Sequence, residues 1–319
     1  MKLYLHIGMQ KAGSKAIQGF LTTNPDRLSR HGIDGAYDLK GGIWHQALFM
    51  AYDDAQDARM AALAQRAEAA VLSYEKAYCA ESETISRLAA HASAIQILFV
   101  IRPPAPWLNS MKNQIAKAHR PRISDWEALS VKDGVLNEAL RVAEHLNRWE
   151  QIVGRDAITV TQFTPRADIV APFLHWLGLP ADAHPGPPGT NPNPGLDARS
   201  IRIMLEVKRQ LAEAPQDTHI RAVTLCHQEL RDSWIDSRHS PPVRLVSEAE
   251  ETYCKETLAP QYRAVLTRYR CLGSSVPEGL GAGDPTTRMS DFTPSTAERA
   301  IATTITHQAR HETGQASNP

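Results

Sequence analysis

The chain has 319 residues, 42% apolar and 22% charged, the balance of an ordinary globular protein with room for a large α/β domain. Lysine plus arginine equals aspartate plus glutamate at 35 each, so the basic surplus of a nucleic-acid binder is missing. No apolar run reaches the roughly 20 residues of a membrane span, the opening Met1 to Gly8 has no leader pattern, and the four scattered cysteines lack metal-ligand spacing; the chain reads as cytoplasmic, with free thiols.

Leu3 to Ile7 is a short apolar strand. It runs into Gly8-Met9-Gln10-Lys11-Ala12-Gly13-Ser14, which punctuates as a loop, and Ala16, Ile17, Phe20 and Leu21 then recur at helical spacing. Strand, glycine loop and helix open a phosphate-binding α/β domain. The loop offers backbone N–H donors at close range, and Lys11 adds positive charge. The nucleoside triphosphatase pattern G-x-x-x-x-G-K-[ST] is not completed, because Ser14-Lys15 reverses its last two residues. The phosphate-gripping lysine and the magnesium-binding hydroxyl would both be displaced, which weakens a kinase-like phosphoryl transferase as the reading.

Asp54 to Ala77, rich in alanine, glutamate and arginine, reads as one long helix. Tyr78-Cys79-Ala80 follows as a short strand leading to Glu81-Ser82-Glu83. Ile95 to Ile101 is a buried strand, stopped at Arg102-Pro103-Pro104 where the prolines start a helix. Trp107, Leu108, Met111 and Ile115 give that helix an apolar stripe. Leu136 to Val153 is amphipathic and ends at Gly154; Ala157 to Val160 is a further strand, and Ile169 to Leu177 a helix closed by Gly178. Strands alternating with helices give an α/β fold, a three-layer sandwich with a parallel central sheet and a helical C-terminal half. His184 to Gly195 is a proline- and glycine-rich crossing, and helical segments fill Asp197 to about Arg270. The division expected is a domain over 1–270 and a mobile tail over 271–319, the tail carrying a helix near Ala297 to Ala309. Trp44, Trp107, Trp126 and Trp149 read as core, and Phe163 as packing at a strand end.

Two motifs carry a family resemblance. Gln10-Lys11-Ala12-Gly13-Ser14-Lys15 resembles the 5′-phosphosulfate loop of sulfotransferases, P-K-[TS]-G-[TS]-[TS], with glutamine for the proline and a lysine for the second hydroxyl. FVIRPPAPWLNS places Arg102 and Ser110 eight residues apart after a buried strand, the spacing with which that family holds a 3′-phosphate. Over about residues 2 to 210 the chain is similar to bacterial sulfotransferase-like proteins, with HIGMQKAGSKAIQGFL, HLNRWEQIVGRDAITVTQF and NPNPGLDARSIRIM as further elements. The R-K-G element of the animal cytosolic enzymes is not evident.

The resemblance implies 3′-phosphoadenosine-5′-phosphosulfate as co-substrate, no metal, and transfer of a sulfuryl group to an alcohol, phenol or amine on a small molecule or glycan. Gln10, Lys11, Ala12, Gly13, Ser14, Lys15, Arg102 and Ser110 would bind the nucleotide. Lys11 would neutralise the leaving oxygen. His45 is the favoured general base, with Glu83 next. His119, with Lys117, Arg120 and Arg122, forms a basic cluster suited to an anionic acceptor or the nucleotide. A non-catalytic nucleotide-binding relative is the alternative within the same fold.

Overall fold

The structure, a computed structural model, describes residues 1–35, 42–50, 52–118, 135–164, 168–180, 196–230, 243–273 and 293–314. The Pro-rich crossing at 184–195, the His119, Arg120 and Arg122 cluster, Trp126 and the side chain of Trp44 lie outside the described residues.

In chain order, β1 (Lys2–Gly8) leads into α1 (Ser14–Thr23), α2 (Pro25–Arg30) and β2 (Ile33–Asp34). Next come α3 (Gly42–Met50), α4 (Asp54–Arg66), β3 (Ala69–Ser73), a 3-10 turn (Glu75–Cys79) and α5 (Ser82–Ala90). β4 (Ala94–Ile101) enters α6 (Pro104–Lys117), followed by α7 (Val135–Leu140), α8 (Val142–Val153), β5 (Ile158–Gln162) and α9 (Val170–Leu177). The remaining elements are α10 (Ala198–Gln210), α11 (Gln216–Glu229), α12 (Glu248–Tyr253), α13 (Ala259–Arg268), β6 (Arg270–Leu272) and α14 (Thr296–Glu312). The chain forms two compact units, one from residues 1–104, 139–189 and 255–278, the other from 105–138, 190–254 and 279–319.

The first unit is an α/β unit around a six-stranded parallel sheet in the order β2-β3-β1-β4-β5-β6. β1 lies at the centre, paired with β3 on one side and β4 on the other. Both faces of these strands are covered, so Leu3, Leu5, Ile7, Val71, Leu72 and Ile97 through Val100 are wholly buried, the near-continuous apolar pattern of a parallel sheet. One face packs on α1 and α9, where Tyr4 meets Trp176 edge-on at 5.3 Å and Phe20 meets Phe173 at 6.4 Å. Tyr78 meets both Phe99 of β4 and His145 of α8 edge-on, and the Trp149 indole N–H of α8 donates to the Tyr78 carbonyl.

Several expectations need correction. The helix begun at Asp54 stops at Arg66, and Ala69–Ser73 is a strand rather than helix. Alanine favours a helix locally, but the run Ala70 to Ser73 is buried between β1 and β2, and pairing overrides propensity. Tyr78 and Cys79 accordingly belong to a 3-10 turn, not to a strand. Leu136 to Val153 is two helices, broken at Arg141 (φ −77°, ψ 46°). β6 adds an edge strand beside β5, so Cys271 and Leu272 of the expected tail are in the sheet.

The second unit is helical. α10, α11 and α14 enclose Ile201, Ile203, Met204, Val207, Ala222, Val223, Ala302, Ile305 and Ala309. α14 falls within the segment expected to be mobile; a Ser295–Glu298 capping box starts it, and Glu298 accepts from Arg202 of α10 at 2.7 to 3.0 Å. Along α6, Asn109 bonds the backbone of Val243 and Leu245, and Asn113 that of Leu196. The carbonyls at its C-terminal end receive Lys208 Nζ (on Ile115, 2.8 Å) and His227 Nε2 (on Lys117, 3.0 Å), the groups a helix leaves unpaired there. No helix among the described residues is long and apolar enough to cross a membrane.

Glu150 of α8 holds the β6 edge of the first unit. It accepts from Arg268 (2.8 and 2.9 Å), Tyr269 (2.8 Å) and Arg155 (3.1 Å). The Arg268 bonds in particular pull its carboxyl down to about 2. A carboxyl lowered on folding stabilises above its unfolded pKa, and that contribution is lost as pH falls toward the folded value. Glu150→Gln is therefore expected to cost about 1 to 2 kcal/mol near neutrality, allowing for solvent screening, with the gap from wild type closing between about pH 5 and pH 2. Denaturant melts across that range check it; a gap that does not change with pH would refute the assignment.

Candidate active site

The site begins where β1 ends. Gly8 lies so close to β4 that a methyl group on it would stand 2.7 Å from the Val100 carbonyl oxygen. The Met9 N–H then donates to that oxygen at 3.0 Å, carrying the ladder one residue into the loop. The backbone turns left-handed at Lys11 (φ 60°) and again at Gly13 (φ 86°); Lys11 is the one non-glycine residue with positive φ among the described residues. A side chain at Gly13 would be strained by its φ and would also meet the Phe163 ring at 2.9 Å. Gly13 is the N-cap of α1 and has no side chain with which to cap that end. At this helix start the backbone dipole favours an anion.

Arg102 leaves the end of β4 beside this loop, at the point where the strand order reverses around β1. Its Nη1 donates to the Lys11 carbonyl at 2.5 Å, and its guanidinium lies over the Phe163 ring at 5.2 Å. Its Nε is buried with no hydrogen-bond partner among the described residues. Met9, fully buried, accepts at its sulfur from the Tyr262 hydroxyl (2.7 Å) and the Arg102 N–H (3.5 Å). The loop is thus held from α13, β4 and the end of β5.

Three cations converge here. Burial first, then the charges of Lys15 and Arg102, push the Lys11 ammonium below its usual pKa. Burial pulls Arg102 down to about 10. Ser14 is buried, Lys15 exposed, and Gln10 half-buried at the loop.

Sequence reasoning missed the carboxyl that faces them. Glu75 follows β3 at the same sheet edge, and burial raises its pKa. The Ser14 hydroxyl, Lys11, Lys15 and neighbouring Lys76 oppose that rise. The signal was present: once Ala69 to Ser73 is read as a strand, Glu75 becomes the first acidic residue past its carboxyl end, where open α/β sheets bind ligands. Glu83 is exposed in the first turn of α5, a position favoured by the helix dipole. His45 is fully buried in α3, its Nδ1 3.4 Å from both the Ser73 N and O. Ser110 is half-buried on α6, in the second unit, whereas Arg102 belongs to the first. Phe163 packs as expected, against Gly13 and Arg102.

No protein-family model matches the chain, and no curated protein matches it. Among solved structures, a sulfotransferase from Alicyclobacillus acidocaldarius is similar, with a TM-score of 0.40 and 17% identity over 70% of this chain and 95% of that one.

An anion bound at the loop would offset Lys11 and Lys15, and the Glu75 pKa would rise further. Sulfate, which does not itself titrate at mildly acidic pH, is therefore expected to bind with uptake of a fraction of a proton. Calorimetry in two buffers of different ionisation enthalpy measures it. Uptake that persists unchanged in Glu75→Gln would mean that Glu75 does not face the bound anion.

Proposed function

We propose that the chain is a sulfotransferase that moves a sulfuryl group from 3′-phosphoadenosine-5′-phosphosulfate to a hydroxyl or amine of an acceptor. The observation that carries the reading is one sheet edge holding Lys11, Lys15 and Arg102 around the start of α1, with the Glu75 carboxyl facing the lysines. The motif resemblance at Gln10 to Lys15 and at Arg102 and Ser110 supports the choice of nucleotide.

In this reading the loop amides, Lys11, Ser14 and Lys15 hold the 5′-phosphosulfate, and Arg102 turns its unpartnered Nε toward the 3′-phosphate. The acceptor oxygen or nitrogen attacks sulfur as the bond from sulfur to the phosphate oxygen breaks. Negative charge grows on that leaving oxygen, and Lys11 neutralises it. The acceptor proton passes to Glu75. A carboxyl raised by burial is a better base than an ordinary one, and Glu75 keeps some exposure whereas His45 is wholly enclosed. The same reading places the protein in the cytoplasm.

Glu75→Gln is expected to lower kcat by about 10²- to 10⁴-fold while leaving nucleotide affinity nearly intact. Wild-type activity should rise with pH through a group above the ordinary carboxylate range, and this limb should vanish in the variant. A limb that survives in Glu75→Gln and vanishes in His45→Gln would transfer the role to His45.

Arg102→Ala is expected to weaken 3′-phosphoadenosine-5′-phosphate by about 2 to 5 kcal/mol, the cost of removing one partner of a buried charged pair. Adenosine 5′-phosphosulfate, which has no 3′-phosphate, should lose much less. Equal losses in titration calorimetry would reduce Arg102 to the support it gives the Lys11 carbonyl.

A further inference from the structure

His6 and Ser73 join the two strand ends that carry opposite charges of the site. They are register partners on the neighbouring parallel strands β1 and β3, and His6 Nδ1 lies 2.7 Å from Ser73 Oγ. Two residues beyond His6 is Gly8, where the cationic loop begins; two residues beyond Ser73 is Glu75. The Tyr74 N–H donates to the His6 carbonyl at 3.0 Å, after which β3 leaves the sheet. The side-chain bond sits at this departure point, where the ladder no longer fixes the direction of the chain.

The pair is costly in its setting. Both side chains are almost wholly buried among apolar strand residues, where two hydrocarbon side chains would avoid desolvating polar atoms. His6 Nε2 is buried with no hydrogen-bond partner among the described residues, so the bond to Ser73 and edge-on packing against Phe173 (6.1 Å) orient the ring. Burial pushes the imidazole down to about 3, so the ring stays neutral, and the tie unchanged, over the range in which a carboxyl titrates. On its other side the Ser73 backbone meets His45 Nδ1. Ser73 is therefore held from β1 and from α3, and its hydroxyl is spent on the strand that carries the phosphate loop.

We propose that His6 and Ser73 are positioning residues that fix the Glu75 carboxyl against Lys11 and Lys15. The proposal rests on the reading above in so far as Glu75 takes the acceptor proton.

Ser73→Ala deletes one buried atom and is expected to fold. It should lower kcat by about tenfold or more, because small misplacements of a reacting group are expensive, while the nucleotide Kd stays within about threefold. The acid limb of activity should move down toward ordinary carboxylate values as Glu75 gains solvent. His6→Leu should behave alike, and His6→Asn, whose amide reaches the Nδ1 position, should recover most of the loss. An unmoved limb with unchanged kcat in Ser73→Ala would overturn the proposal, as would kcat and affinity falling together in step with thermal stability. Should no acceptor be turned over by the wild type, the sulfotransfer reading fails but the tie is still tested. The Glu75 carboxyl titration followed by ¹³C NMR should differ between wild type and Ser73→Ala, and identical titrations would overturn the tie.

Discussion

The close approach of β1 to β4 is the contact on which the candidate site depends. The two strands pair from Lys2 opposite Ala94 to Gly8 opposite Val100. At the last pair there is no space for a side chain on β1, and the ladder continues into the loop through the Met9 N–H. This registers the loop against Arg102, two residues past Val100, so that a guanidinium from one strand reaches a loop carbonyl from the other. The left-handed turn at Lys11 is held by that bond. A non-glycine residue with positive φ is unfavourable alone and persists where its surroundings fix it.

The same registration gathers like charges. Burial and the charges of Lys15 and Arg102 depress Lys11, burial depresses Arg102, and Glu75 supplies the opposing charge near the lysines. Such an arrangement favours a multiply charged anion, which relieves repulsion among the cations and lies at the positive end of the α1 dipole. It also keeps a carboxyl less acidic than usual beside the lysines. The protonation of Glu75 and anion binding are thereby linked through one small cluster.

β3 provides the complementary half. Its pairing beside β1 brings Glu75 to the loop, and its last residue is bonded to His6 in the core of the sheet. The aromatic side chains around these strands, Phe173 under His6 and Phe163 under Gly13 and Arg102, give polar groups fixed apolar walls. The separate helical unit is organised differently, with α6 pinned through asparagine side chains and its end closed by Lys208 and His227.

The sequence by itself determined the parts whose signals are local. Leu3 to Ile7, the glycine loop, the helix at Ile17 and Phe20, and the strand stopped by Arg102-Pro103 all appear near their expected bounds, because periodicity, glycine and proline act within a few residues. The cationic half of the site was legible for the same reason. Glu75 was not, because Ala69 to Ser73 has a composition that serves helix and buried strand alike, and only its place between β1 and β2 decides between them. A helix carried on to Ala77 moves the next strand end to Glu83, which the folded chain leaves exposed on α5. His45 could be chosen from its loop as a base, yet its burial against Ser73 depends on a contact 28 residues away. Helical propensity is a few tenths of a kcal/mol per residue, and the burial of a central strand outweighs it; that sum exists only once the sheet has formed.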